Sequence, residues 1–322
     1  WQLVTKQIEI DQAEGFATVK SAKLEVNDLP VFYFPRITFP ISNKRSSGLL
    51  FPTIGVNRQN GFDILQPIYW NIAPHYDATF TPRYISERGA AFGAEFRHLS
   101  TWAKTELNGQ WLFNDLGGKE VTSKPQNSDY RGQTRYLASF DHRGGFERPW
   151  KTYINLNKVS DTDYFNDLGT EFLTERSLTH LQRVTMASFK KGHWNFGIET
   201  EDYQVISQDI EEQYAVLPKI SVDGYFRPTR NIIVDINQTY TRFEHEDAER
   251  VAGQRLNLSY SMTWDKRFPW GHFVPKANLQ HIHYSLKTSS LNDKNPSVSV
   301  PTFSIDSGLF FERDLTRFGD AT

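Results

Sequence analysis

Nine histidines are spread along the 322-residue chain, and three stand where chemistry is conceivable. His281 and His283 of HIH fall on one face of a strand, a spacing that suits two metal ligands. No third ligand accompanies them, so no metal is expected. His245 lies between Glu244 and Glu246, and a hydrolase needs a histidine beside a carboxylate or serine. A charged loop tip explains the same three residues. DTDYFNDLG, at 161–169, crowds carboxylates together but lacks the closing Glu of a calcium loop. LGGKE has the glycines of a phosphate loop without the rest of that motif. The expectation is a protein with no catalytic residues and no cofactor.

The remaining polar residues recur at every second position. In YWNIAPHYDATFTPRY, His75, Asp77, Thr79, Thr81 and Arg83 take one side, and Tyr76, Ala78, Phe80, Pro82 and Tyr84 the other. In RLNLSYSMTWD, Arg255, Asn257, Ser259, Ser261 and Thr263 oppose Leu256, Leu258, Tyr260, Met262 and Trp264. TFSIDSGLF puts Asp306 on a polar side against Phe303, Ile305 and Leu309. Such a polar side hydrogen-bonds to water or to a polar chain. No covalent step is expected of it.

The elements that position these residues are strands, because the period is two. About fourteen strands of roughly ten residues are expected between 48 and 312, beginning with 48–57 and 61–70 and including 253–265. From residue 114 onward the connections alternate. NDLGGKEVTSKPQNSDY is long and RGGFER short; SDTDYFNDLGTEFLTERS is long and KKGH short. Outer-membrane barrels alternate in this way, with short periplasmic turns and longer outer loops. A soluble sandwich has no reason to.

Composition agrees. Apolar residues make up 38% and aromatics 14%, and the formal charge of -2 gives no field to attract nucleic acid. There is no cysteine, hence no disulfide or thiolate site within the chain. No apolar run is long enough for a transmembrane helix. The mean hydropathy of -0.56 suits a barrel with a wet interior. The apolar side then faces lipid and the polar side lines a lumen. Eight steps from Tyr76 to Tyr84 rise about 20 Å when tilted, short of a ~25 Å apolar band.

Five stretches carry a resemblance: VFYFPRITFPISNKRSSGLLFPTIG, YWNIAPHYDATFTPRY, DYFNDLG, YAVLPKI and VPTFSIDSGLFFERD. They closely resemble LptD, the outer-membrane lipopolysaccharide-assembly family, and the likeness covers essentially the whole chain. It implies the end of a periplasmic β-jellyroll with a proline-rich connector over 1–40. It implies the N-terminal half of an outer-membrane β-barrel over 41–322. The implied function is delivery of lipopolysaccharide to the outer leaflet by sideways exit between the first and last strands. The implied partners are lipopolysaccharide, the lipoprotein plug LptE, a periplasmic lipopolysaccharide-bridge protein reached through the jellyroll, and the barrel-assembly machinery during folding. The implied place is the Gram-negative outer membrane, with the N-terminal part in the periplasm.

The resemblance puts a lateral gate at Pro52, Thr53 and Pro67. Proline removes a ladder donor and is confined to edges and irregularities, so two of them weaken one seam. Local bending of the strands is the plainer account of the same prolines. Arg36, Lys44 and Arg45 suit lipid phosphates, and a solvated basic turn accounts for them at least as well. His75, Asp77, Thr79, Thr81, Arg83, Arg255 and Asp306 are expected to face the lumen and meet saccharide or plug. A passive porin and a barrel protease or lipase are the rival readings. The chain starts at Trp1 rather than Met and is read as an excised piece. A half barrel exposes two strand edges that lipid cannot satisfy, so further strands of the same protein or a neighbouring barrel are expected to cap them.

Overall fold

The computed structural model describes residues 2–12, 15–26, 29–41, 45–119, 130–169, 179–207, 210–287 and 293–312. Of these described residues, 70% are strand and 2% helix.

Four strands form a small sheet: β1 (Gln2–Val4), β2 (Gln7–Asp11), β3 (Phe16–Val26) and β4 (Leu29–Pro40). β3 pairs with β1 and β2 along one edge and with β4 along the other. Ser21 has φ 55 and is skipped in the β3–β4 register. The β3–β4 ladder stays in step across it, Lys20↔Arg36 and Ala22↔Phe34, so the left-handed residue turns the alternation without a bulge. The buried positions therefore pass from Ala17 and Val19 to Ala22. Pro30, Pro35 and Pro40 belong to β4 itself, so the stretch expected to be a connector is an edge strand, where proline is tolerated.

The long antiparallel sheet holds 17 strands among the described residues. It begins with β5 (Gly48–Leu49), β6 (Thr53–Asn57), β7 (Gly61–Leu65), β8 (Ile68–Ala73), β9 (Tyr76–Ile85) and β10 (Gly89–Leu99). Next come β11 (Ala103–Leu112), β12 (Arg135–Gly144) and β13 (Trp150–Val159), then a one-turn helix α1 (Tyr164–Leu168). The rest are β14 (His180–Lys191), β15 (Trp194–Val205), β16 (Ala215–Thr229), β17 (Ile232–Glu244), β18 (Gly253–Trp264), β19 (Lys266–Phe268), β20 (Gly271–Leu286) and β21 (Ser297–Leu309). Fourteen expected strands become 17 because two of them break, at Pro52 and at Pro67, and because β19 is a further short strand beyond the expected 253–265.

Two units make up the chain. One comprises Trp1–Ser100, Thr105–Ser139 and Val159–Leu173; the other comprises Thr101–Lys104, Phe140–Lys158 and Thr174–Thr322. In the second unit β14 to β18, β20 and β21 follow one another in antiparallel register. Its connections alternate. Gly192–His193 and Arg230–Asn231 are two-residue turns, whereas 206–214, 245–252 and 287–296 are long. Aromatic pairs gather at the short-turn end: Trp194 with Phe226 at 5.1 Å between ring centroids, Trp264 with Phe273 at 6.2 Å, and Phe268 with Trp270 at 4.7 Å.

Large apolar side chains stand exposed while polar ones elsewhere are buried. Ile198 is 48% exposed and Met262 56%. Asp77 and Thr81, on the polar side of β9, are 5% and 6% exposed. Ile198, Ile220, Tyr240 and Leu256 stand directly opposite one another across four strands, an apolar row that no other layer covers among the described residues.

Candidate functional site

The first hairpin is built from two broken strands. β6 pairs with β7 as Thr53↔Leu65, while β5 pairs with β8 as Leu49↔Ile68. Between these pairs stand three residues on one side, Leu50, Phe51 and Pro52. Only two stand on the other, Gln66 and Pro67. The extra residue is a bulge. Both prolines lie in it, so neither can donate to the ladder. A side chain fills part of the gap: Gln66 Nε2 donates to Leu50 O at 2.8 Å and to Pro67 O at 3.1 Å. Against β9 the register holds across the break, since Leu65↔Arg83 and Ile68↔Phe80 are in step. The disruption is thus confined to the β5/β6 strand and its partner. A cavity of about 230 Å³ adjoins the hairpin, lined by Thr53, Gly55, Asp63, Leu65, Arg83 and Leu168 among others.

The other end of the hairpin is orderly. Asn57 Oδ1 accepts from Gln59 N at 3.0 Å and Asn60 N at 2.6 Å, a side-chain-closed turn. Gly61 completes it with φ 68, and a Cβ there would lie 2.2 Å from Ser86 Oγ. Gly61→Ala should therefore lower stability by more than the ~1–2 kcal/mol of a left-handed residue. Gly132→Ala is the comparison, because φ is 75 there but nothing lies within 4 Å. Urea midpoints of the two variants check the difference.

Over this tip sits a ring of four buried charges. Arg88 Nη1 is 2.9 Å from Asp115 and Arg88 Nη2 3.2 Å from Asp167. Arg135 Nη1 is 3.0 Å from Asp115 and 2.9 Å from Asp167. All four side chains are at most 2% exposed. Charges so deep in the fold persist only when paired and hydrogen-bonded, and the surroundings complete the set. Arg135 also holds Asp161 at 2.7 Å, and Arg88 Nε donates to Asn60 Oδ1 at 2.7 Å. The Arg135 guanidinium stacks 4.2 Å over the Tyr130 ring. Tyr130 donates to Asp163 at 2.9 Å. Its burial, with that bond, pushes the hydroxyl up to about 12. Tyr164, 0% exposed, donates to Gln110 at 2.9 Å.

The expected lumen residues are placed as follows. His75 lies in the exposed turn between β8 and β9. Asp77 is clamped between Arg45, an ion pair, and Arg97, at 2.8 Å. Arg97 is also 3.2 Å from Glu95, so the four charges balance. Thr79 is half-buried and Thr81 buried. Arg83 pairs with Asp63 at 2.6 Å and donates to Leu168 O at 2.9 Å. Arg255 stands 5.2 Å from the Phe243 ring centroid. Asp306 is 3.3 Å from His272 Nε2. Of the expected phosphate ligands, Arg36 is exposed on β4 opposite Lys20, and Lys44 lies outside the described residues. On the same small sheet Lys20, bonded to Glu9, holds that carboxyl below its usual range, with Arg36 adding to the effect. Of the histidines, His281 Nδ1 is 2.8 Å from Ser299 Oγ, and His245 accepts from Asp247 N at 3.0 Å.

Two family models match the chain. "LPS transport system D" matches residues 133–322, and a second model, "LptD protein", matches 17–223. This chain belongs to the LptD family. Curated relatives named LPS-assembly protein LptD agree. One from Alkalilimnicola ehrlichii is 37% identical over 319 residues, which is 97% of this chain and 40% of that protein. Others from Chromohalobacter salexigens and Saccharophagus degradans are 32% and 33% identical, over 99% and 97% of this chain. The chain spans about two-fifths of the length of these LptD relatives.

The ion ring escaped the sequence reading, yet a signal for it exists. The tetrapeptide NDLG occurs twice, at 114–117 and at 166–169. Each copy follows the long-loop end of a strand, and each contributes its aspartate, Asp115 or Asp167, to the same two arginines. In LptD terms, DYFNDLG is the second copy with its preceding aromatics.

Proposed function

We propose that this chain is part of a lipopolysaccharide transporter of the Gram-negative outer membrane, in which the lipid leaves sideways past the first hairpin. The observation that carries the reading is the double-proline bulge. Pro52 and Pro67 interrupt the ladder at one level, and Thr53 begins the intact part of β6 just beyond it. A strand pair with fewer hydrogen bonds separates at lower cost, and in lipid an unsatisfied backbone group costs several kcal/mol. A seam meant to open would be built with few to lose. Membership of the LptD family, whose curated members are named for LPS assembly, supports the substrate.

The other parts follow from the same reading. Residues 1–40 are the end of a periplasmic jellyroll whose buried Ala17, Val19 and Ala22 mark an apolar side suited to acyl chains. The bridge protein feeds it from the periplasm. Residues 41–322 are barrel, with the short turns toward the periplasm. Asp77, Thr79, Thr81, Arg83, Arg255 and Asp306 line the route, with His75 at its periplasmic rim, and they meet saccharide or the LptE plug. Arg36 and Lys44 meet lipid phosphates. Arg45 does so by exchanging Asp77 for the phosphate. The barrel-assembly machinery inserts the strands.

Photo-crosslinking tests this in cells, on the natural full-length protein. Probes go at Thr53 and at Phe196, which is 42% exposed on an apolar side. Lipopolysaccharide adducts at Thr53 and not at Phe196 are expected. Equal labelling, or none at Thr53, removes the gate and restores the porin reading.

A further inference from the structure

The ring of Arg88, Asp115, Arg135 and Asp167 does more than bury charge. We infer that it is a clasp that pins the tip of the β6–β7 hairpin, so that movement of the hairpin is confined to its proline-broken end. The gate at that broken end rests on the transport reading above; the clasp does not.

Asp167 is the hub. Its carboxylate accepts from Arg135 and Arg88 on the ring side and from Gln59 Nε2 at 2.7 Å on the hairpin side. Its backbone carbonyl accepts from Asn60 Nδ2 at 2.6 Å. Gln59 and Asn60 are the turn between β6 and β7. One residue further on, Leu168 O accepts from Arg83, which also holds Asp63 of β7. The first NDLG copy closes the tip from another direction. Just past it, Lys119 N donates to Gln59 O at 2.9 Å, and Gly118 N to Glu87 O at 3.0 Å. Two loops, each carrying the same tetrapeptide, thus converge on one hairpin tip through one pair of arginines.

The asymmetry along the hairpin is the consequence. At the tip, charge-assisted bonds hold the turn and β7. At the other end, two prolines and a bulge interrupt the β5/β6 ladder, where Leu50 N donates to Pro67 O and Leu50 O accepts from the Gln66 side chain. Local opening follows local bond strength and burial. The hairpin should therefore swing from its tip rather than detach whole.

Amide hydrogen exchange on the natural full-length protein tests the clasp. In the native protein, amides of 56–62 should exchange at least tenfold more slowly than those of 49–53. Asp167→Asn removes the hub's charge. Gln59→Ala with Asn60→Ser cuts the tip from the hub and leaves the ring ion pairs intact, so it decides alone if Asp167→Asn does not fold. Either variant should speed exchange at 56–62 at least tenfold, with amides of 79–96 within twofold of native. Unchanged exchange at 56–62 in the double variant overturns the clasp, and so does equal acceleration at 79–96. The gate is read separately, from Thr53 adducts. A native protein with the exchange contrast but no adducts keeps the clasp and loses the gate.

Discussion

Replacing Arg135 with methionine should cost about 3–5 kcal/mol, the usual loss when one partner of a buried ion pair is removed. The size follows from what is left behind. Asp115, Asp161 and Asp167 all face Arg135, and the first and last are almost fully enclosed. Arg88 alone then faces Asp115 and Asp167. Removing a carboxylate as well, in Arg135→Met with Asp161→Asn, should recover part of the loss, because it removes one uncompensated charge. Arg143 is the control. It pairs with Asp141 at 3.4 Å but is 63% exposed, and exposed pairs contribute about 0–1 kcal/mol. Urea unfolding of the folded protein in lipid or detergent measures all three variants. A loss below about 1 kcal/mol for Arg135→Met would mean the ring is hydrated and not the anchor described above.

Ile198→Arg should cost about 2–4 kcal/mol in a bilayer, the penalty for a cation on the lipid side near the midplane. Ile198 lies four residues into β15, roughly 10 Å along the membrane normal from Trp194 at the short turn. The neighbouring Asn195, on the polar side with Asp223, should accept arginine at a cost of about 0.5 kcal/mol or less, the usual surface value. The order of the two effects is the informative part. A fold built for water, with its apolar side packed inward, also penalises arginine at the apolar position, but it does so equally in detergent-free buffer. A lipid-facing position is penalised only when the protein is refolded into lipid or detergent. Comparing refolding yields of Ile198→Arg and Asn195→Arg across bilayers of increasing thickness separates these cases, since a position at the midplane grows costlier as the bilayer thickens.

What the amino-acid sequence determined by itself is periodic. A period of two puts Tyr76, Phe80 and Tyr84 on one side and Asp77, Thr81 and Arg83 on the other whatever the strand later pairs with, because alternation is a property of the extended chain. The long and short connections, the all-β class and the two prolines are local facts of the same kind. Proline removes a ladder donor wherever it stands, so Pro52 and Pro67 were visible as candidate interruptions. The one-residue slip was not, because a bulge exists only between two strands and depends on both. Ser21 is a different case, a left-handed residue in a ladder that stays in step. Nothing in FATVKSAKLEV announces φ 55, yet that one residue moves the buried side from Val19 to Ala22. The ion ring lay furthest from view. Arg88, Asp115, Arg135 and Asp167 are separated by 20 to 32 residues of chain along the Asp115–Arg135–Asp167 path, and each alone reads as a charged loop residue. Only the folding of two loops onto one hairpin tip excludes water from all four at once, and exclusion of water is what turns an ordinary charge into one that must be paired.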